Sequence, residues 1–76
     1  MVVVNLSKLA FVVREGEIAL VPGKVLSLGD VSKNMTVAAF QFSEAARAKI
    51  SAKGEALSIG ELLKKNPKGK NVRLVK

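Results

Sequence analysis

Apolar residues along this chain come in short runs, each closed by a polar capping residue or a turn, and the spacing changes from run to run. Met1 to Val4 is a brief apolar stretch without a preceding cationic segment, so it predicts a strand rather than a signal peptide. Asn5 then stands where a helix cap belongs. Leu6, Leu9, Ala10 and Val13 follow at helical spacing, with Val4 and Leu9 as a hydrophobic staple and Gly16 as the stop. Glu17 to Val21 and Val25 to Leu28 are two β-prone runs around Pro22-Gly23, a pair suited to a type II turn, which splays strands, so a corner with Lys24 at its tip is expected as much as a hairpin. Residues 28–34 read as a loop.

The stretch from Thr36 to Phe42 is apolar except at Thr36 and Gln41, which predicts a strand covered on both faces, with Phe40 and Phe42 in the core. Ser43 caps the helix that follows, Glu44 to Lys53, and Ala45, Ala46 and Ile50 are its expected buried stripe. Gly54 would close that helix in a left-handed conformation. Glu55-Ala56-Leu57 is a short extended piece. Ser58-Ile59-Gly60-Glu61 matches the capping box, with Leu57 and Leu62 at the staple positions. The resulting helix runs from Ile59 to about Lys65, because Pro67 cannot continue it; a turn over Asn66 to Lys70 leads to a last strand at Val72 to Val75. Three times a strand runs into a capped helix, so the class is α/β, in one domain spanning residues 1–76.

Composition narrows the chemistry. The chain has 76 residues, 49% of them hydrophobic, yet only three aromatics (Phe11, Phe40, Phe42), so its core is aliphatic. A domain of this size buries only about 60% of the surface its unfolded chain exposes. Cysteine and histidine are both absent, which excludes disulfides and thiolate sites and removes the commonest metal ligand and general base. No phosphate-binding loop fits, since Ile18 and Lys64 occupy the places where Gly23-Lys24 and Gly69-Lys70 would need a preceding glycine. Glu15 and Glu17 are a solvated pair at a turn. No enzyme, cofactor, metal or small-molecule substrate is indicated, and no apolar run is long enough to span a membrane.

Charge supplies the positive signal. The net charge is +7; the first 32 residues hold three cations and three acids, and the remainder holds ten cations and three acids. From Lys64 to Lys76 there are six cations and no acid, the footprint of a surface that meets phosphates or anionic lipid. Few aromatics, with Val37 and Ala39 where an RRM octamer ending at Phe42 would place rings, argue for phosphate contacts and shape over base stacking. The cations expected on turns and helix ends are Lys24, Lys33, Arg47, Lys65, Lys68, Lys70 and Arg73.

Val21-Pro22-Gly23-Lys24-Val25-Leu26, Thr36 to Ser43 with its Val-Ala-Ala-Phe, and Glu61 to Gly69 with its Asn-Pro-Lys-Gly, followed by Val72-Arg73-Leu74, occur here in one order and spacing. Together they resemble the C-terminal domain of large-subunit ribosomal protein family eighteen-e of archaea and eukaryotes, a relative of bacterial protein L-fifteen. The resemblance implies irregular strand-strand-helix superhelical turns around a short mixed sheet. It also implies a cytoplasmic structural component of the ribosome whose partners are large-subunit ribosomal RNA and neighbouring ribosomal proteins. Two departures accompany it. The family's long basic N-terminal extension is missing, as if the chain were N-terminally truncated, and Gln41 stands where a basic residue is usual, so no phosphate contact carries over there. Short connections and the absence of Cys and His suit a thermophilic archaeon. The alternative class is a stand-alone RNA-binding or protein-interaction module outside the ribosome.

Overall fold

Val2 to Asn5 forms strand β1 (Val2–Asn5), and the backbone passes straight into helix α1 (Leu6–Val12). The computed structural model describes residues 1–31 and 34–76, so Lys33 lies outside the described residues. Asn5 has the extended backbone of a cap, but its side chain makes no capping hydrogen bond. Leu6, Leu9 and Val13 are buried and Ala10 half-buried, as the spacing predicts. The helix stops earlier than Gly16. Val13 is already extended, its N–H donating to the Leu9 carbonyl at 3.0 Å, and the β-branched pair Val12-Val13 favours that exit.

Strand β2 (Ile18–Leu26) runs unbroken through Pro22-Gly23, where a corner or a hairpin was expected. Its neighbours explain how. On one side it pairs with β5 (Val72–Leu74) over Ile18 to Leu20 and with β1 over Gly23 to Leu26, which leaves Pro22 in the gap between the two ladders. On the other side it pairs with β3 (Thr36–Phe42), and the register shifts between Val21 and Lys24, a bulge that again bypasses Pro22. A residue without an N–H therefore costs neither ladder a hydrogen bond. Gly23 is fixed by crowding: a Cβ there would run into the backbone carbonyl of Val2.

Ser43 caps helix α2 (Glu44–Lys53), its Oγ accepting from the Ala46 N–H at 3.1 Å. Ala46 and Ile50, four residues apart, are fully buried, whereas Ala45 lies a helical step to the side and is exposed. Gly54 is extended (φ −163°) instead of left-handed. Glycine is needed there because a Cβ would strike the Met35 carbonyl oxygen, which the next residue's N–H uses at 3.1 Å. Strand β4 (Glu55–Ser58) pairs with β3, and helix α3 (Ile59–Lys65) begins with the expected capping box: Ser58 Oγ accepts from the Glu61 N–H at 3.1 Å, and Glu61 Oε1 accepts from the Ser58 N–H at 3.2 Å.

The sheet order is β1-β2-β3-β4, with β5 continuing the β1 edge of β2, and every ladder among the described residues is parallel, where a short mixed sheet was expected. The α/β class stands. One face packs on α1 and α2 through Val4, Leu6, Leu9, Val21, Val25, Val37, Ala39 and Ile50. The opposite face holds a smaller cluster of Ala38, Leu57 and Leu62 under α3, flanked by Ile18 and Leu20. Only Val37 to Ala39 of β3 are thus covered on both sides. Phe40 is 66% exposed, so the expectation that its ring belongs to the core is corrected, since α3 ends its cover before Phe40 is reached; Phe42 is half-buried and packs against the larger core.

Candidate nucleic-acid interface

In this fold α3 returns from the C-terminal end of β4 to the start of the sheet, where Lys65 Nζ meets both carboxylate oxygens of Glu55, at 2.9 and 3.1 Å. The chain then makes a turn braced by one side chain. Asn66 Nδ2 donates to the Lys70 carbonyl at 2.7 Å, Asn66 Oδ1 accepts from the Lys70 N–H at 3.2 Å, and the Gly69 N–H donates to the Asn66 carbonyl at 3.1 Å. Pro67 fixes its own φ within the same turn. Lys68 and Lys70 are exposed on this loop, and neither side chain has a carboxylate partner among the described residues. Two ammonium groups are held on a backbone that has little freedom left to lose on binding.

Arg73, in β5, points to Glu17: Nε lies 2.8 Å from Oε1 and Nη2 3.1 Å from Oε2. The Arg14 N–H also donates to Oε1 at 2.8 Å. The Arg73 hydrogen bonds and, after them, that of the Arg14 backbone hold the Glu17 carboxyl below the usual carboxylate range, and the same pairing raises Arg73. Glu61 is lowered as well, first by the Ser58 backbone N–H and then by the Ser58 hydroxyl.

The remaining expected contacts lie elsewhere. Lys24 is half-buried near the C-terminal end of β2, without an ion-pair partner among the described residues. Arg47, in the first turns of α2, places its guanidinium 5.0 Å from the centre of the Phe42 ring, a cation–π contact. The seven expected residues therefore do not form one surface. Lys65, Lys68, Lys70 and Arg73 gather at the start of the sheet, with Lys65 and Arg73 already facing acids; Lys24 and Arg47 stand near its far end; Lys33 is outside the described residues. Lys64, exposed and without an ion-pair partner among the described residues, belongs with the first group and was not singled out from the sequence. Its place in the uninterrupted cationic run was the available signal.

Lys49 has a different task. Its Nζ donates at 3.0 Å to the carbonyls of both Ser27 and Gly29 and lies 3.6 Å from Asp30, tying the segment after β2 to α2. An open groove of about 460 Å³ at the start of β2, β3 and β4 is lined by Glu15, Glu17, Glu55 and Lys53, and two of its three carboxylates are already held by Arg73 and Lys65. Among the described residues no cluster of acids could hold a metal ion, and no helix is long and apolar enough to cross a membrane.

A family model described as "Ribosomal protein 60S L18 and 50S L18e" matches residues 2–76. The chain belongs to this ribosomal protein family. Similar proteins named "Large ribosomal subunit protein eL18" include one from Methanospirillum hungatei, 50% identical over 74 residues. Others are from Methanococcus maripaludis, 48% identical over 73 residues, and from Pyrobaculum aerophilum, 48% identical over 75 residues. These alignments cover 96%, 95% and 97% of this chain but only 61%, 61% and 62% of the relatives, so the chain spans about three fifths of the eL18 proteins it matches.

Proposed function

We propose that this domain is a structural, non-catalytic constituent of the large ribosomal subunit in the cytoplasm, and that it holds ribosomal RNA through the basic end of its sheet. Family membership supports the assembly. The observation that carries the contact is the Asn66-braced turn, which presents Lys68 and Lys70 without carboxylate partners among the described residues. Lys64 extends this group along α3. Lys65 joins it by exchanging its exposed ion pair with Glu55 for a phosphate, and Arg73 by exchanging its two-pronged pair with Glu17. Lys24 and Arg47 form a separate contact at the other end of the sheet. Neighbouring ribosomal proteins are the second class of partner.

The test is retention on large subunits during sedimentation through high salt, followed by hydroxyl-radical footprinting of the ribosomal RNA. Retention with protected riboses that reappear when Lys68 and Lys70 are replaced by Gln is expected. Free protein at the top of the gradient at all salt concentrations would favour a stand-alone module outside the ribosome.

A further inference from the structure

On the sheet face opposite α1 and α2, α3 lies over Ala38 and Leu57 and leaves the later residues of β1, β2 and β3 bare. Strand alternation sets what stands there. Val4, Val25 and Ala39 point into the larger core, so their neighbours Val3, Lys24 and Phe40 point the other way. The register sets Val3 beside Lys24, and Phe40 lies opposite the Pro22-Gly23 bulge, one position before the residue that pairs with Lys24. An exposed phenyl ring thus shares this part of the sheet with an ammonium group that has no ion-pair partner among the described residues.

We infer that this patch is a docking site for one unpaired nucleotide of the large-subunit ribosomal RNA, its base stacked on Phe40 and its phosphate on Lys24. The inference rests on the RNA-binding reading above and adds a second, chemically distinct contact to it. Charge complementarity selects this occupant. An apolar protein surface laid over Phe40 and Val3 would bury the Lys24 ammonium with no counter-ion, an expensive arrangement. A nucleotide brings its own phosphate. Among the described residues no acid makes an ion pair with Lys24: Glu17 and Glu55 sit at the other end of the sheet on Arg73 and Lys65, Glu15 lines the same groove as Glu17, Asp30 faces Lys49, Glu44 opens α2, and Glu61 is folded back on the Ser58 N–H. The scarcity of aromatic residues argues against a series of stacked bases, but one exposed ring suffices for one base. Phe42 is occupied by Arg47, which leaves Phe40 as the free ring of β3.

The experiment measures binding of the wild-type chain, Phe40→Leu and Phe40→Tyr to the large-subunit ribosomal RNA transcript, across a range of salt, with 254-nm crosslinking of the wild-type complex and mass spectrometry. Stacking predicts a nucleotide adduct on Phe40, a loss of about fivefold to about 100-fold for Phe40→Leu, and a Phe40→Tyr affinity within about twofold of wild type. The salt slope should be the same for all three, because stacking releases no counterions. Equal affinity of Phe40→Leu and a salt-dependent wild type, or equal losses in Leu and Tyr, would overturn the stacking site and leave the RNA-binding reading intact. Absence of a nucleotide adduct on Phe40, or its crosslinking to a neighbouring protein in intact subunits, would likewise overturn it. Wild type that binds no RNA would overturn both readings.

Discussion

Glu17 and Arg73, 56 residues apart in the chain, meet in a two-pronged hydrogen bond at the start of β2 and join the most distant strand to the middle of the sheet. The carboxyl is depressed by this contact, so its contribution to stability is complete above the unfolded Glu value, about 4.3, and is lost as the pH falls through the lower folded value. Chemical denaturation of wild type and Glu17→Gln at a series of pH values should show the wild type losing stability more steeply below about pH 4.5. Parallel pH profiles would mean that the pair does not persist in solution.

The two glycines of neighbouring environments, one crowded and one open, should respond in opposite directions to the same substitution. Gly23→Ala forces β1 away from β2, because the new methyl meets the Val2 carbonyl, and should cost about 1–3 kcal/mol. Gly60→Ala, with only the Ser58 hydroxyl at 3.9 Å, should stabilise α3 by up to about 1 kcal/mol. Urea midpoints decide this, and a tolerated Gly23→Ala would contradict the observed β1–β2 register.

The aromatic residues of β3 are not its anchors. Ile50→Ala should cost about 2–5 kcal/mol, since that side chain is fully buried between α2 and the sheet. Phe40→Ala should cost less than about 1 kcal/mol. Ser58→Ala, which removes one arm of the capping box, falls between them at about 0.5–2 kcal/mol. Thermal melts that rank Phe40→Ala as the worst of the three would show that its ring is covered.

What the sequence disclosed was mainly local. The Ser43 and Ser58 caps, the Leu57–Leu62 staple and the short last helix were legible because each signal involves residues within a turn or two of one another. The Pro22-Gly23 segment was misread for the opposite reason. Its residues favour a turn in isolation, and only the placement of β5 and β1 along one edge of β2 shows that Pro22 has no ladder to interrupt. Gly54 misled similarly, since the constraint on it comes from Met35 across the sheet. For the candidate site, the cationic run from Lys64 onward is what folding gathers beside the start of the sheet. The division into a neutral half and a basic half, however, does not survive folding: Glu17 from the first half faces Arg73 from the second. Exposure of Phe40 depends on how far α3 reaches, which no spacing along β3 encodes.

Asn66 offers a way to separate preorganisation from charge. Asn66→Ala removes both side-chain hydrogen bonds across the turn and leaves every cation in place. RNA affinity should fall by about fivefold, the equivalent of about 1 kcal/mol, while the salt slope stays unchanged. An unchanged affinity would show that Lys68 and Lys70 do not need a fixed backbone to make their contacts.

The central claim, that RNA phosphates are held at the basic end of the sheet, is tested most directly by a salt titration of binding to large-subunit ribosomal RNA. Wild type should be compared with a variant carrying Lys64→Gln, Lys68→Gln and Lys70→Gln, and with one carrying Lys8→Gln and Arg14→Gln. Each neutralised phosphate releases counterions, so the triple variant should bind more weakly, with a log–log slope shallower by about 2 to 3 units, and the double variant should keep the wild-type slope. Equal slopes for wild type and the triple variant, or a larger loss in the double variant, would contradict the account and place the RNA on another face of the domain.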